Sequence, residues 1–171
     1  VYKRQIVDGQ SAKLIIDDLR APFTVSAVDK KEVKRNPGAP YTTSTLQQDA
    51  ARKLYFSSKK TMQIAQKLYE EGYITYHRTD SVNLSEKFIS EAREYVGGSL
   101  GAHFVPAESR RFKTKSKVAQ EAHEAIRPTV VGRKADKIGV GDLNRDHMRL
   151  YELIWKRAVA SQMAEAIFDS T

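Results

Sequence analysis

Apolar positions fall at helical spacing through most of the chain. Ala12, Ile15, Ile16 and Leu19 predict a short helix from about Gly9 to Leu19. Phe23, Val25 and Ala27 alternate loosely, which predicts a strand continuing weakly toward Val33. Arg35-Asn36-Pro37-Gly38-Ala39-Pro40 then breaks both patterns and marks a boundary between two units. Beyond it, Thr43, Ser44 or Thr45 can cap a helix carrying Leu46, Ala50, Leu54 and Tyr55. Ser57 or Ser58 can cap a second, with Met62, Ala65, Leu68 and Tyr69 inward and Gly72 as its stop. The short link makes these two helices neighbours in one bundle.

An extended run, Tyr73 to Tyr76, follows. Ser85 then opens a third helix (Phe88, Ala92, Tyr95, Val96) that is expected to end at Gly97-Gly98, and Glu86 in its first turn suits the dipole. Periodicity is lost from Gly101 to Lys117, where Arg110, Arg111, Lys113, Lys115 and Lys117 make a basic loop. Ala119 to Ile126 reads as a short helix stopped by Pro128, and 131–144 as irregular. A long helix from about Arg145 to Met163 carries Leu150, Ile154 and Ala158 on one stripe, with Tyr151 and Trp155 beside it. Ala166 to Thr171 predicts a strand that rejoins the first unit. The expected fold is mainly α: a helical module over 38–163, flanked by partly β segments at 1–37 and 164–171. Such a module looks inserted into a larger fold, and neither end reads as a natural domain terminus.

Composition narrows the partners. A formal net charge of +8 in 171 residues calls for an anionic partner, nucleic acid first. The chain has no cysteine, which excludes disulfide frameworks and thiolate zinc sites within it. No apolar run approaches membrane-spanning length. The basic residues are dispersed (Arg52, Lys53, Lys59, Lys60 and Lys67, then the loop, then Arg133, Lys134 and Lys137), which favours backbone contact over base readout. Lys59 and Lys60 oppose the dipole of their helix, an arrangement that phosphate would relieve. Tyr41, Tyr55 and Tyr73 are available to stack on single-stranded bases, or to fill a core.

The densest chemistry lies in Tyr73-Ile74-Thr75-Tyr76-His77-Arg78-Thr79-Asp80-Ser81. Period-2 alternation predicts Ile74, Tyr76 and Arg78 on one face, with Tyr73, Thr75 and His77 on the other. A phenol ionises near pH 10, about three units above neutrality, so a nucleophilic tyrosine needs nearby positive charge or a base. Arg78 could supply that charge and clamp a phosphate oxygen. Tyr76 could equally be a core aromatic. Asp80 reads first as a local cap and second as a partner for Arg78. In Gln120-Glu121-Ala122-His123-Glu124-Ala125-Ile126-Arg127-Pro128-Thr129, a helix would put His123 and Arg127 on one face, His123 as a phosphate donor or proton shuttle and Arg127 as a backbone clamp, or both as ordinary surface residues. A single histidine beside Glu124 argues against a hydrolytic metal site, and no residue is assigned to metal binding.

Those runs, together with Gly38-Ala39-Pro40-Tyr41-Thr42-Thr43-Ser44-Thr45-Leu46-Gln47-Gln48 and Lys59-Lys60-Thr61-Met62 with Ala65-Gln66-Lys67-Leu68-Tyr69, resemble the central region of the type IA DNA topoisomerases. The resemblance runs from about residue 38 to 171. The Glu-Ala-Ile-Arg-Pro form is closer to the bacterial topoisomerase I branch than to topoisomerase III, with reverse gyrase an alternative. It implies a domain III-like module inserted in an arched domain II, in an ATP-independent isomerase that relaxes negative supercoils. Tyr76 would attack a DNA phosphodiester, giving a 5′-phosphotyrosine and a free 3′-hydroxyl. Arg78 would stabilise the scissile phosphate, and His123 would belong to the DNA-binding and catalytic network. Arg127, Lys59, Lys60, Asp80 and His77 would contribute to substrate binding.

The same resemblance implies a monomeric bacterial enzyme of the cytoplasm, associated with the nucleoid, acting chiefly on single-stranded DNA. Its magnesium would be bound by a toprim domain absent from these 171 residues, so the isolated chain is expected to bind DNA weakly and not to cleave it. His77 stands where bacterial enzymes commonly carry methionine, and either tunes the tyrosine's surroundings or touches DNA. Two rival readings remain at this level: a DNA-binding module without chemistry, and a tyrosine recombinase or nuclease. The last would want more phosphate-binding arginines and histidines, in a different order.

Overall fold

The structure is a computed structural model that describes residues 5–19, 22–112, 123–138 and 143–171. Five helices are described: α1 (Gly9–Asp18), α2 (Thr43–Leu54), α3 (Ser58–Glu70), α4 (Glu86–Ser99) and α5 (Arg145–Ala160). Two strands, β1 (Lys31–Arg35) and β2 (Ala166–Ser170), pair in a two-stranded sheet. The chain divides into two compact units, Val1–Val33 with Asp169–Thr171, and Lys34–Phe168.

In the smaller unit α1 forms as the pattern predicts. Asp8 caps it, accepting from the Ser11 backbone N–H at 2.8 Å. It buries no side chain, and Leu14, Ile15, Ile16 and Leu19 are exposed. The strand expected over Phe23 to Val28 does not form. β1 lies further on, in the polar run Lys-Glu-Val-Lys-Arg, because a strand exists only where a partner completes its ladder. The return strand expected at the C-terminal end is β2.

The larger unit is built on α2, α3 and α5. Leu46, Ala50, Ile64, Ala65, Leu68, Leu150, Tyr151 and Ile154 share one core with Tyr41, Ile74 and Ile126. A second cluster packs Phe88, Ala92 and Val96 of α4 against Ala158 and Val159 at the end of α5. Thr42, one residue before the expected caps, closes a capping box with Thr45. The inward stripe of α3 is rotated from the expected one. Thr61 is buried because its hydroxyl donates to the Ser57 carbonyl at 2.9 Å, while Tyr69 stays 41% exposed. α4 runs through Gly97 and Gly98 to Ser99 and breaks at Gly101, at φ 122°. A Cβ on Gly97 would only reach ordinary contact with Val105, so neither glycine is a stop.

One polar network ties α2 to α5. Asp49 accepts from the Tyr41 hydroxyl at 2.6 Å, from Arg157 at 2.7 Å and from Lys53 at 3.0 Å. Burial alone would raise the Asp49 carboxyl, but the bonds from Tyr41 and Lys53 and the charges of Lys53 and Arg157 outweigh it and hold it down to about 2. Burial and the Asp49 bond push the Tyr41 phenol up. Arg157 passes so close to Gly38 that a Cβ there would sit 2.3 Å from its Nη1, and the guanidinium would have to shift to admit it. Arg110, the first cation of the expected basic loop, is fastened. It donates to the Met163 carbonyl, to Asn36 and to Glu165 at 2.8–3.0 Å. Lys113, Lys115 and Lys117 lie outside the described residues.

Candidate active site

The site is assembled by two extended strips laid against each other and against the entrance to α2. α3 stops in a Schellman turn: Gly72, left-handed at φ 71°, donates to the Tyr69 carbonyl, and Tyr73 donates to that of Leu68, both at 2.9 Å. That turn throws the chain back across the core as the strip 73–81. A second strip, 123–129, lies alongside it. Thr75 N–H donates to the Arg127 carbonyl at 2.9 Å, Thr129 N–H donates to that of Tyr73 at 3.0 Å, and Ile74 forms a bridge with Pro128. The Thr75 hydroxyl donates to the Ala125 carbonyl at 2.7 Å and accepts from Arg127 N–H at 3.0 Å. Ile126 N–H in turn donates to the Tyr41 carbonyl at 2.8 Å, which places the entrance to α2 beside both.

This arrangement corrects the helix expected at Ala119 to Ile126. Residues up to 122 lie outside the described residues, and His123 to Ile126 are extended. Their backbone groups are spent on Asn83, Tyr41 and Thr75, and Pro128 disfavours helical backbone at Arg127. His123 and Arg127 therefore do not share a helix face. Arg127 turns inward: it pairs with Glu124, donates to Pro128 and Ser85, and lies 5.0 Å over the Phe88 ring. With 15% of its side chain exposed, it braces the start of α4.

From Tyr76 to Ser81 the strip alternates. Tyr76, Arg78 and Asp80 are exposed, and His77, Thr79 and Ser81 are buried. Tyr76 and Arg78 share a side as expected, but Ile74 faces inward, so the alternation changes phase between them. Thr43, the first residue of α2, pins the strip. Its hydroxyl donates to the carbonyls of His77 at 2.8 Å and Thr79 at 3.1 Å and accepts from Thr79 N–H at 2.9 Å, while its own N–H donates to Thr79. Thr79 and Ser81 supply the local caps expected of Asp80: their hydroxyls accept from the N–H groups of Ser81 and Asn83. Asp80 is left without a hydrogen bond or ion pair among the described residues.

Arg78, Asp80 and His123 line one open cleft of about 440 Å³ together with Thr43, Ser44 and Gln47 of α2. The sequence reading missed the α2 contribution. Its signal was the hydroxyl run Thr43-Ser44-Thr45, which was read only as a set of candidate caps. Tyr76 projects nearby, 46% exposed, with its ring edge-on to Tyr69 at 5.3 Å and to His77 at 5.2 Å. Its hydroxyl has no hydrogen-bond partner among the described residues. His77 sits beneath, 4% exposed, with both ring nitrogens unpartnered. Burial, and then the charge of Arg78, push its imidazole below the usual value, so it is held neutral, with little surface left for a DNA contact. Lys59 and Lys60 lie at the other end of α3, away from this cleft. Lys60 pairs with Asp146 at 2.6 Å over the Phe56 ring.

A run of extended chain exposing a tyrosine, an arginine and a carboxylate, completed by a histidine from a distant segment, suits work on a phosphate ester. A family model described as DNA topoisomerase matches residues 1–171. The chain is 52% identical over 170 residues to DNA topoisomerase 1 of Zymomonas mobilis, covering 99% of this chain and 14% of that protein. It is 52% identical over 148 residues to DNA topoisomerase 1 of Streptomyces coelicolor, covering 86% and 15%. The structure of full-length topoisomerase I from Thermotoga maritima superimposes with a TM-score of 0.71 at 36% identity, covering 99% of this chain and 27% of that one. The chain belongs to the DNA topoisomerase family, and its fold is that of a type IA topoisomerase segment. It spans about a seventh of the length of the Zymomonas protein. No helix among the described residues is long and apolar enough to cross a membrane.

Proposed function

We propose that the protein containing this chain cleaves one strand of DNA with Tyr76 and reseals it after strand passage, relaxing negative supercoils in the bacterial cytoplasm. The Tyr76 Oη–P bond forms as the bond from phosphorus to the 3′ oxygen breaks. The phenol gives up its proton and the departing 3′ oxygen takes one, leaving a 5′-phosphotyrosine and a 3′-hydroxyl. Arg78 holds the non-bridging oxygens, where charge builds in the transition state. His123 donates to the same phosphate from across the cleft, and Thr43 keeps the strip in register. The free Asp80 carboxylate orients Arg78 or His123 once DNA is bound. The observation that carries this reading is the shared side of Tyr76, Arg78 and Asp80, with His123 delivered to the same cleft.

Magnesium is not assigned to these residues. Among the described residues Asp80 is the sole carboxylate lining the cleft, and a hard divalent cation takes several oxygen donors. No group of three His, Cys, Asp or Glu among the described residues could hold a metal. We place the magnesium site in another domain of the complete enzyme. The 171-residue chain alone is then a weak single-stranded DNA binder without cleavage activity.

The test is to trap the full-length protein on an oligonucleotide labelled at either end. A 3′ label should stay with the protein after denaturation, a 5′ label should be released, and Tyr76→Phe should retain neither. An adduct surviving in the phenylalanine variant would remove Tyr76 from the role.

A further inference from the structure

Among the described residues of the larger unit, two end a helix with the φ and ψ of a left-handed helical turn or its glycine equivalent. At the end of α3 it is Gly72, at φ 71°. At the end of α2 it is Tyr55, at φ 60° and ψ 34°, in a conformation that crowds any side chain. The turn itself has a purpose, since it drives Phe56 into the core with its N–H on the Ala50 carbonyl at 3.3 Å. The phenol ring does not serve that purpose. It is 89% exposed and has no aromatic, hydrogen-bond or ion-pair partner among the described residues. Folding asks for glycine here, and the chain carries a large aromatic with both faces in water.

The surroundings are cationic. Arg52, in the last turn of α2, and Lys59, in the first turn of α3, are exposed and without an ion pair among the described residues. The other tyrosines suited to stacking are already used. Tyr41 is buried against Asp49 and Arg157, and Tyr73 packs on Tyr151 and Arg133. α3 separates Tyr55 from the Tyr76 end by 13 residues, roughly 20 Å at 1.5 Å per residue, so this is a second place on the molecule rather than an edge of the cleft.

We propose that Tyr55 is a stacking platform for a base of single-stranded DNA, with Arg52 and Lys59 receiving the neighbouring phosphates. It rests on the reading of Tyr76 and its cleft as a DNA-strand site, and extends the strand's path along α3. A π-face accepts any base, and two unpaired cations supply the backbone attraction.

The test measures binding of labelled oligodeoxythymidylate to the full-length protein carrying Tyr76→Phe, with and without changes at Tyr55. Tyr55→Gly removes the ring and suits the backbone, so loss of folding does not confuse the result. It should weaken binding roughly five- to hundredfold, while Tyr55→Phe, which keeps the stacking face, should match the parent. Arg52→Gln and Lys59→Gln should each flatten the log–log salt dependence by about 0.7. If the parent binds and Tyr55→Gly binds equally well, the platform is wrong and the cleft reading stands. If neither binds, both readings fail. If Tyr55→Gly lowers the thermal stability of the full-length protein, the ring packs on another part of the polypeptide, and the platform is again wrong.

Discussion

Gly72 and Tyr55 do the same backbone work at opposite ends of α3, and the difference between them separates what folding requires from what it leaves free. At Gly72 the left-handed turn launches the strip that carries Tyr76, and the residue is the one with no steric penalty there. At Tyr55 the turn is equally needed, to seat Phe56, but the residue adds strain and buries nothing. Tyr76, by contrast, is half-buried between Tyr69 and His77 on a backbone pinned by Thr43, which is the kind of preorganisation a reacting group needs.

Breaking the pinned side gives the largest expected effect. Thr43→Val keeps the shape but removes the hydroxyl that serves two carbonyls and leaves Thr79 N–H without that bond. We expect a loss of about 2 kcal/mol in denaturant unfolding, with a parallel loss of DNA cleavage. An unchanged midpoint would mean the strip is held by the core alone. Gly72→Ala meets no atom within 4 Å, so its cost is backbone strain only, about 1–2 kcal/mol in the same assay. Tyr55→Gly has the opposite sign and should gain about 1 kcal/mol. If both changes at these turns were destabilising, the contrast between them would collapse.

The smallest effect is a pH dependence. His77 is neutral in the fold because burial lowers its proton affinity, whereas in the unfolded chain it binds a proton near its ordinary value of 6.5. Below that pH the unfolded state holds more protons, so stability falls as the solution is acidified. His147, pushed down chiefly by burial, acts in the same direction. His77→Met should therefore reduce, without abolishing, the loss of stability as the pH falls below about 6.5. An identical slope in the variant would contradict the buried, unpartnered state of His77.

Much of this was legible in the chain, for local reasons. Helices α1 to α5 announce themselves through apolar spacing, with the caps Ser57 and Ser85 of α3 and α4 also readable, and the motif runs pointed to Tyr76, Arg78 and His123. What stayed hidden was decided by partners distant in sequence. The strip 123–126 is extended because Tyr41, Asn83 and Thr75 supply its hydrogen bonds, and no window around His123 contains them. Arg127 looked like a clamp, yet it is held by Glu124, Ser85 and Phe88. Thr43 looked like a cap for α2, yet its hydroxyl serves the strip 36 residues away. α1 shows the converse: its apolar positions made a helix, but among the described residues no partner buries them.

The central claim is that Tyr76 is the nucleophile, and mapping of the covalent adduct tests it most directly. The full-length protein would be trapped on a single-stranded oligonucleotide, denatured, digested with protease and nuclease, and its peptides weighed. The account predicts a phosphonucleotide on the peptide containing Tyr76 and on no other. The same mass on any other residue, or an adduct linked through a 3′ phosphate, would contradict it.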